Sequence, residues 1–304
     1  MRKYIVSAII MSFALIMSIP VYAGFGGGGQ RQMDVSEEEA QLIEEAMPTE
    51  APYTPKQERK ILVFCVTEGF FHEGIPYFNR ALQIMGEKTG AFTADITTDL
   101  NDLLSDNLEQ YDALCLNNTV SMPVSPETTP EICESIINFI EGGKGIIGIH
   151  AATDNFYDWP EAAEMMGGTF DGHPWGAGGV WAVKFDEPDH PLMVPLQGHQ
   201  GFRIQTEIYR SWPPLYSRDK QLVLMSLDMS DEATSNTAQD ERDSDTGITW
   251  IKEVGEGRMF YCSLGHGGNI TQMTPILEHY LLGIQWALGD IDGVDATPKG
   301  TDSN

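Results

Sequence analysis

Basic residues are scarce in this chain. Its 304 residues carry 18 Lys and Arg against 45 Asp and Glu, a formal net charge of -27. Such a surface repels phosphate backbones and anionic headgroups, so neither nucleic acid nor a membrane surface is expected as a partner. Cysteine is scarce too: Cys65, Cys115, Cys133 and Cys262, no two of them at zinc-ribbon spacing. Four cysteines in a chain this long do not make a disulfide scaffold. Three lie in apolar, strand-like runs and Cys133 in a helical one, which reads as buried free thiols, with at most one bridge. Internal repeats are lacking. So are several catalytic signatures. His72-Glu73 has no second His at zincin spacing, and no G-x-S-x-G elbow occurs. Gly142-Gly143-Lys144 is followed by Gly rather than Ser or Thr, so there is no P-loop. Gly143 to Gly148 fits G-x-G-x-x-G by letter, but it enters a strand instead of leaving one, which excludes a nucleotide cofactor site there.

What is present begins with an N-terminal export signal. Arg2 and Lys3 precede an apolar stretch from Ile5 to Ile19, and Val21 and Ala23 stand at the -3 and -1 positions of a cleavage site. An uncleaved anchor is the competing reading, because Tyr4 to Ala23 is just long enough to span a bilayer. The small-residue site and the following glycines favour cleavage, hence a periplasmic or secreted protein without stable membrane insertion. Residues 24–59 read as a flexible linker with room for one short helix, 60–290 as the folded domain, and 291–304 as a disordered tail.

Within 60–290 strand and helix patterns alternate. Ile61 to Val66, Ala113 to Leu116 and Gly145 to Ile149 are continuous apolar runs suited to strands buried on both faces, and Phe92 to Thr97 alternates. Helical spacing runs from Ile75 to Lys88, from Pro126 to Ile140 and from Ile276 to Leu288. The second half is richer in strands: 180–185, 202–205, 221–227, 248–252 and 259–263. This pattern predicts a flavodoxin-like α/β fold, a doubly wound, mostly parallel sheet with helices on both faces.

The chemistry is carried by histidine. His72, His150 and His266 each follow a predicted strand, and His173 lies in a Gly-rich loop. In an open α/β sheet, positions beyond the carboxyl ends of the strands converge on one edge, where ligands bind. His190, His199 and His279 read as structural or surface residues. Asp154 and Glu207 are candidate carboxylate companions. Imidazoles with a carboxylate suit a divalent transition metal such as zinc, with His72, His150, His173 and His266 as ligands. The same groups without a metal would serve as general acid and base, with His150, Glu207 and Asp154 as the catalytic candidates. Residue types allow both. Aromatic residues flank these positions. Phe71, Trp159 and Trp175 are candidate platforms for sugar rings, and core packing is the alternative for each.

An ordered set of segments resembles the ThuA-like family, named for trehalose utilisation, within the class I glutamine amidotransferase-like superfamily. It includes Gly69-Phe70-Phe71-His72, Gly145 to Asp154, Gly167 to Pro174, Asp189 to Leu192, Glu207-Ile208-Tyr209, Gly255 to Tyr261, Leu264-Gly265-His266 and Gly283 to Gly289. The resemblance covers Lys60 to Gly289 and implies the class I glutamine amidotransferase-like fold. The family usually has Asp-Glu where this chain has Thr206-Glu207, which leaves Glu207 as the carboxylate. The superfamily's nucleophilic Cys sits at a sharp turn where this chain has His150, so no thioester chemistry and no glutaminase activity is expected. By resemblance, the protein belongs to carbohydrate catabolism, and its partner is a small carbohydrate, a (3-keto) disaccharide or glycoside. Tyr209 joins the substrate-binding candidates. A sugar-processing hydrolase, lyase or isomerase is the favoured reading; a non-catalytic glycan-binding module is the alternative.

Overall fold

The structure, a computed structural model, describes residues 34–213 and 215–300. The expected signal peptide, residues 24–33 of the linker and residues 301–304 of the tail lie outside these. Among the described residues no helix is long and apolar enough to cross a membrane.

In chain order the elements are α1 (Glu37–Ala46), β1 (Lys60–Phe64), α2 (Gly74–Thr89), β2 (Thr93–Thr97), α3 (Ser105–Leu108), β3 (Ala113–Asn117), α4 (Pro130–Glu141), β4 (Gly145–Ile149), α5 (Pro160–Met166), β5 (Val180–Phe185), β6 (Gly201–Gln205), β7 (Leu222–Leu227), α6 (Glu232–Ser235), β8 (Gly247–Val254), β9 (Gly257–Cys262) and α7 (Thr274–Ala287). All nine strands form one sheet in the order β2-β1-β3-β4-β9-β8-β7-β5-β6. Strands β2, β1, β3, β4 and β9 are mutually parallel, which is the expected doubly wound half. Strands β8, β7, β5 and β6 extend it in antiparallel pairings, so the whole sheet is mixed.

Burial explains the order. The continuous apolar runs of β3 and β4 are covered on both faces and take the middle. One face packs Ile61, Val63, Cys115, Ile147 and Phe260 against α1, α2 and α7. The other packs Leu62, Phe64, Leu114, Ile146 and Tyr261 against α4 and α5. The parallel strands all point their carboxyl ends to one edge, and that edge carries the site.

Three boundaries differ from expectation. Helix α4 starts at Pro130 rather than Pro126, with Pro130 in the first turn. Residues 125–129 form a tight turn instead, closed by the Thr129 N–H on the Ser125 carbonyl at 2.8 Å. Residues 34–59, expected as flexible linker, are bound along the domain. Ser36 and Glu39 make a capping box for α1, and Ile43 is fully buried. Further on, the Lys56 N–H and the Arg59 guanidinium both donate to the Asp290 carboxylate, at 3.0 and 2.6 Å. Residues 291–300 of the expected tail likewise lie on the body: Ile291 is buried, and the Gly300 N–H donates to the Arg218 carbonyl at 3.0 Å.

Candidate metal centre

Three strand ends and one strand exit build the centre. His72 closes the loop after β1, two residues before α2. His150 follows β4 directly, and its backbone is left-handed, φ 46°. A non-glycine residue held there is uncommon and needs the surroundings to fix it. The Tyr261 hydroxyl does so by donating to the His150 carbonyl at 2.7 Å. His266 lies in the loop after β9, its carbonyl accepting the Gly74 N–H at 2.9 Å. That contact needs a glycine, because a Cβ on Gly74 would stand 2.1 Å from the Gly265 carbonyl oxygen.

Glu207 arrives from the antiparallel half, two residues beyond β6. Its backbone is held on both sides. The Trp181 indole donates to the Thr206 carbonyl at 2.8 Å, and the Ile208 N–H donates to the Trp175 carbonyl at 2.8 Å. The donor atoms of His72, His150, Glu207 and His266 all lie within 4.8 Å of one another. The ring centroids of His72, His150 and His266 are 4.9, 5.4 and 5.3 Å apart, each pair edge to face.

Burial sets the electrostatics. It pushes the His72 imidazole down to about 3 and His266 to about 4, and His150 well below its usual range; repulsion among the imidazoles adds to the shift. All three are therefore neutral, the form that binds metal. Hydrogen bonds assign their free lone pairs. His150 Nδ1 is 2.9 Å from the Ser263 carbonyl, an acceptor, so the proton sits on Nδ1 and Nε2 is bare. His72 Nε2 is 3.0 Å from the Tyr209 hydroxyl, while its Nδ1 has no partner. Both His72 Nδ1 and His150 Nε2 are buried nitrogens without a hydrogen bond. Buried polar atoms of native proteins rarely stay unpaired unless they serve something else. Three neutral imidazoles and one carboxylate, two of the nitrogens orphaned, fit a metal ion. Backbone and tyrosine partners on the far ring atoms of His150 and His72 give the outer support that metal-binding histidines require.

Not every expected residue enters this cluster. His173 stands exposed at the rim because Gly172, at φ 107°, turns the chain outward; its Nδ1 is 3.7 Å from Glu207 Oε2 and its ring stacks on Phe170. Glu207 takes the fourth donor position in its place. Burial raises the Glu207 carboxyl from its ordinary value, and His173 partly offsets this. Asp154 lies just past the His150 turn; burial raises it as well, and the Tyr157 hydroxyl bonds to it.

The aromatic expectations fare differently. Trp159 and Trp175 are buried, so neither can stack on a sugar. Trp159 packs edge-on to Phe156, and the Trp175 indole donates to the Thr234 carbonyl. Tyr209 is buried too, its ring 4.5 Å from His150, and acts on the two histidines it touches. Phe71 is half-buried. Among the described residues the exposed aromatics are Phe70, edge-on to His72, together with Tyr157, Trp212 and Tyr53. Trp212 had no signal in the sequence beyond a lone Trp before two prolines.

Comparison with known proteins agrees with this architecture. The profile of the ThuA family, described as trehalose utilisation, matches residues 60–287. A ThuA-like protein from Bacteroides uniformis ATCC 8492 superposes with a TM-score of 0.57 at 21% identity, covering 77% of this chain and 95% of its own. A second, from Parabacteroides merdae ATCC 43184, gives 0.57 at 18% identity and covers 80% and 96%. A cytoplasmic protein of Salmonella typhimurium gives 0.52 at 13% identity, with 75% and 98% covered. No curated protein sequence matches. The chain belongs to the ThuA trehalose utilisation family, with the amidotransferase-like α/β fold.

Proposed function

We propose that this member of the ThuA family is an exported enzyme of sugar utilisation. Its substrate is a 3-keto disaccharide or glycoside, processed by metal-assisted acid/base chemistry as a hydrolase, lyase or isomerase. The observation that carries the proposal is the pair of buried, unpartnered imidazole nitrogens of His72 and His150, beside Glu207 and His266.

In this reading His72, His150, Glu207 and His266 hold a divalent transition ion, zinc by donor type. When bound, such an ion supplies Lewis-acid polarisation of a sugar carbonyl or hydroxyl oxygen. A 3-keto group acidifies the neighbouring C–H, so a base must stand beside it. His150 is a ligand here rather than the base, because Nδ1 is committed to Ser263 and Nε2 belongs to the cluster. The proton falls to Asp154 and His173 at the mouth. Asp154, held above its ordinary range by burial, is a better base than an exposed carboxylate. The turn that carries a nucleophilic thiol in amidotransferases presents His150, and all four cysteines are buried elsewhere, which argues against glutaminase chemistry.

The test is to incubate the purified protein with a 3-keto disaccharide and follow its loss with and without a chelator, alongside His150→Ala. Loss that the chelator and the substitution both abolish supports the reading. Chelator-resistant loss removes the metal; no loss at all removes the enzyme and leaves glycan binding.

A further inference from the structure

Of the expected aromatic platforms Trp159, Trp175 and Tyr209 are buried and Phe71 is half-buried, yet the structure provides a different one. Beside the centre lies a cleft of about 440 Å³ lined by Phe156, Tyr157, Phe170, Trp212 and Leu215, with Thr169 and Asp171 at its polar side. A volume of several hundred Å³, mostly apolar with a few polar groups, is typical of a small-molecule site. Trp212 and Tyr157 are 49% and 54% exposed, although large aromatic rings are normally covered. Thr169 is 97% buried, being 3% exposed, and its hydroxyl has no hydrogen-bond partner.

The cleft shares a wall with the metal centre. Phe170 lines it and also packs 4.3 Å from the Tyr209 ring, which is in turn 4.5 Å from the His150 ring. Tyr157, on the same wall, bonds Asp154. The packed rings of Phe170 and Tyr209 thus stand between the cleft and the donor cluster, and Tyr157 and Asp154 lead from the cleft toward the mouth of the centre. Sugar rings present an apolar face that stacks on Trp or Tyr and hydroxyls that seek Thr and Asp partners, which is what this lining offers.

Resting on the reading above, we propose that the Tyr157–Trp212 cleft is a second sugar subsite, holding the unreacted ring of a disaccharide whose other ring lies at the His/Glu cluster. The cleft then makes the protein selective for two-ring over one-ring substrates. It also supplies binding energy away from the reacting ring, which enzymes use to position the reacting one.

Binding is measured by calorimetry with maltose, cellobiose and trehalose as two-ring probes and glucose as the one-ring control, on the full protein and on Trp212→Ala and Thr169→Val. For at least one disaccharide, Trp212→Ala is expected to raise Kd about tenfold, as loss of one aromatic stacking surface does. Thr169→Val is expected to raise it several-fold with no loss of melting temperature, since the hydroxyl has no partner in the protein. Metal content should stay as in the unsubstituted protein. Disaccharide binding unchanged in Trp212→Ala overturns the subsite while leaving the metal centre and its chemistry standing. Absence of disaccharide binding to the unsubstituted protein overturns the subsite as well; turnover of the 3-keto substrate then decides separately whether the centre's own chemistry survives.

Discussion

Glu207→Gln separates a metal centre from an ordinary buried polar cluster. The substitution keeps shape and removes one negative charge from the midst of three neutral imidazoles. An ion accepted by the cluster lies within 4.8 Å of the Glu207 carboxylate, the span of the donor atoms. At that range, with an effective dielectric near 20, each pair of unit charges interacts by about 3 kcal/mol. Even half of a dication's interaction is worth about 100-fold in Kd. Without metal the sign reverses. Burial already disfavours the charged carboxylate, and its histidine neighbours at 3.5 and 3.7 Å are not charged partners unless protonated. Chelated Glu207→Gln should therefore melt at or above the temperature of the chelated parent. Addition of zinc to about 1,000 times Kd should stabilise the parent by about 4 kcal/mol. For a domain of this size that is a shift of roughly 10 °C, and the variant, its Kd weakened about 100-fold, should show only about a third of it. Differential scanning fluorimetry of both proteins, chelated and zinc-loaded, reads all four values. A variant that loses stability when chelated yet gains as much from zinc as the parent would refute the metal centre.

Three other outcomes follow from the packing. His279 is fully buried, burial holds it down to about 4, and its Nε2 is unpartnered. The unfolded chain binds that proton from about pH 6.5 downward, so native stability should decline as pH falls from there to about 4, by up to about 3 kcal/mol from this residue. Urea unfolding of His279→Gln across that window should show a shallower decline than the parent, and an equal slope would remove His279 as a cause. Gly74→Ala places a methyl 2.1 Å from the Gly265 carbonyl oxygen, so it should cost about 1–3 kcal/mol and weaken zinc binding by displacing His266; calorimetry checks both. All four cysteines are buried and free, and burial pushes the Cys65 thiol up to about 11. A thiol reagent should label none in the native protein and all after denaturation.

Much of this architecture was legible in the residues. Most strands announced themselves by a continuous or alternating apolar run, because β3 and β4 are buried on both faces and β7 is buried throughout, whereas edge strand β2 has no buried residue. The convergence of His72, His150 and His266 followed from topology alone, since three parallel strands must end at one edge. Glu207 was legible as a carboxylate, but not as the partner that displaces His173. That choice depends on the exit path of β6 and on the left-handed Gly172, both tertiary matters. Trp159 and Trp175 misled because a large ring in a loop reads the same whether the loop folds over it or not. Ser36 and Glu39 carried a capping-box spacing, but the acidic run around them matches a solvated linker equally well; Ile43 decides the matter only once α2 is there to cover it.

The origin of the four donors has a consequence for how long the molecule lasts. Three come from the parallel strands and Glu207 from beyond the antiparallel edge, so an ion accepted by all four cross-links distant stretches of a chain that has no disulfide among its described residues. Like a covalent bridge, such a link closes several large loops at once and takes that freedom from the unfolded chain. Unfolding of the loaded protein must then wait for the ion to leave. Its half-life against proteases becomes a matter of metal dissociation kinetics, and free metal in the surroundings sets how durable each copy is.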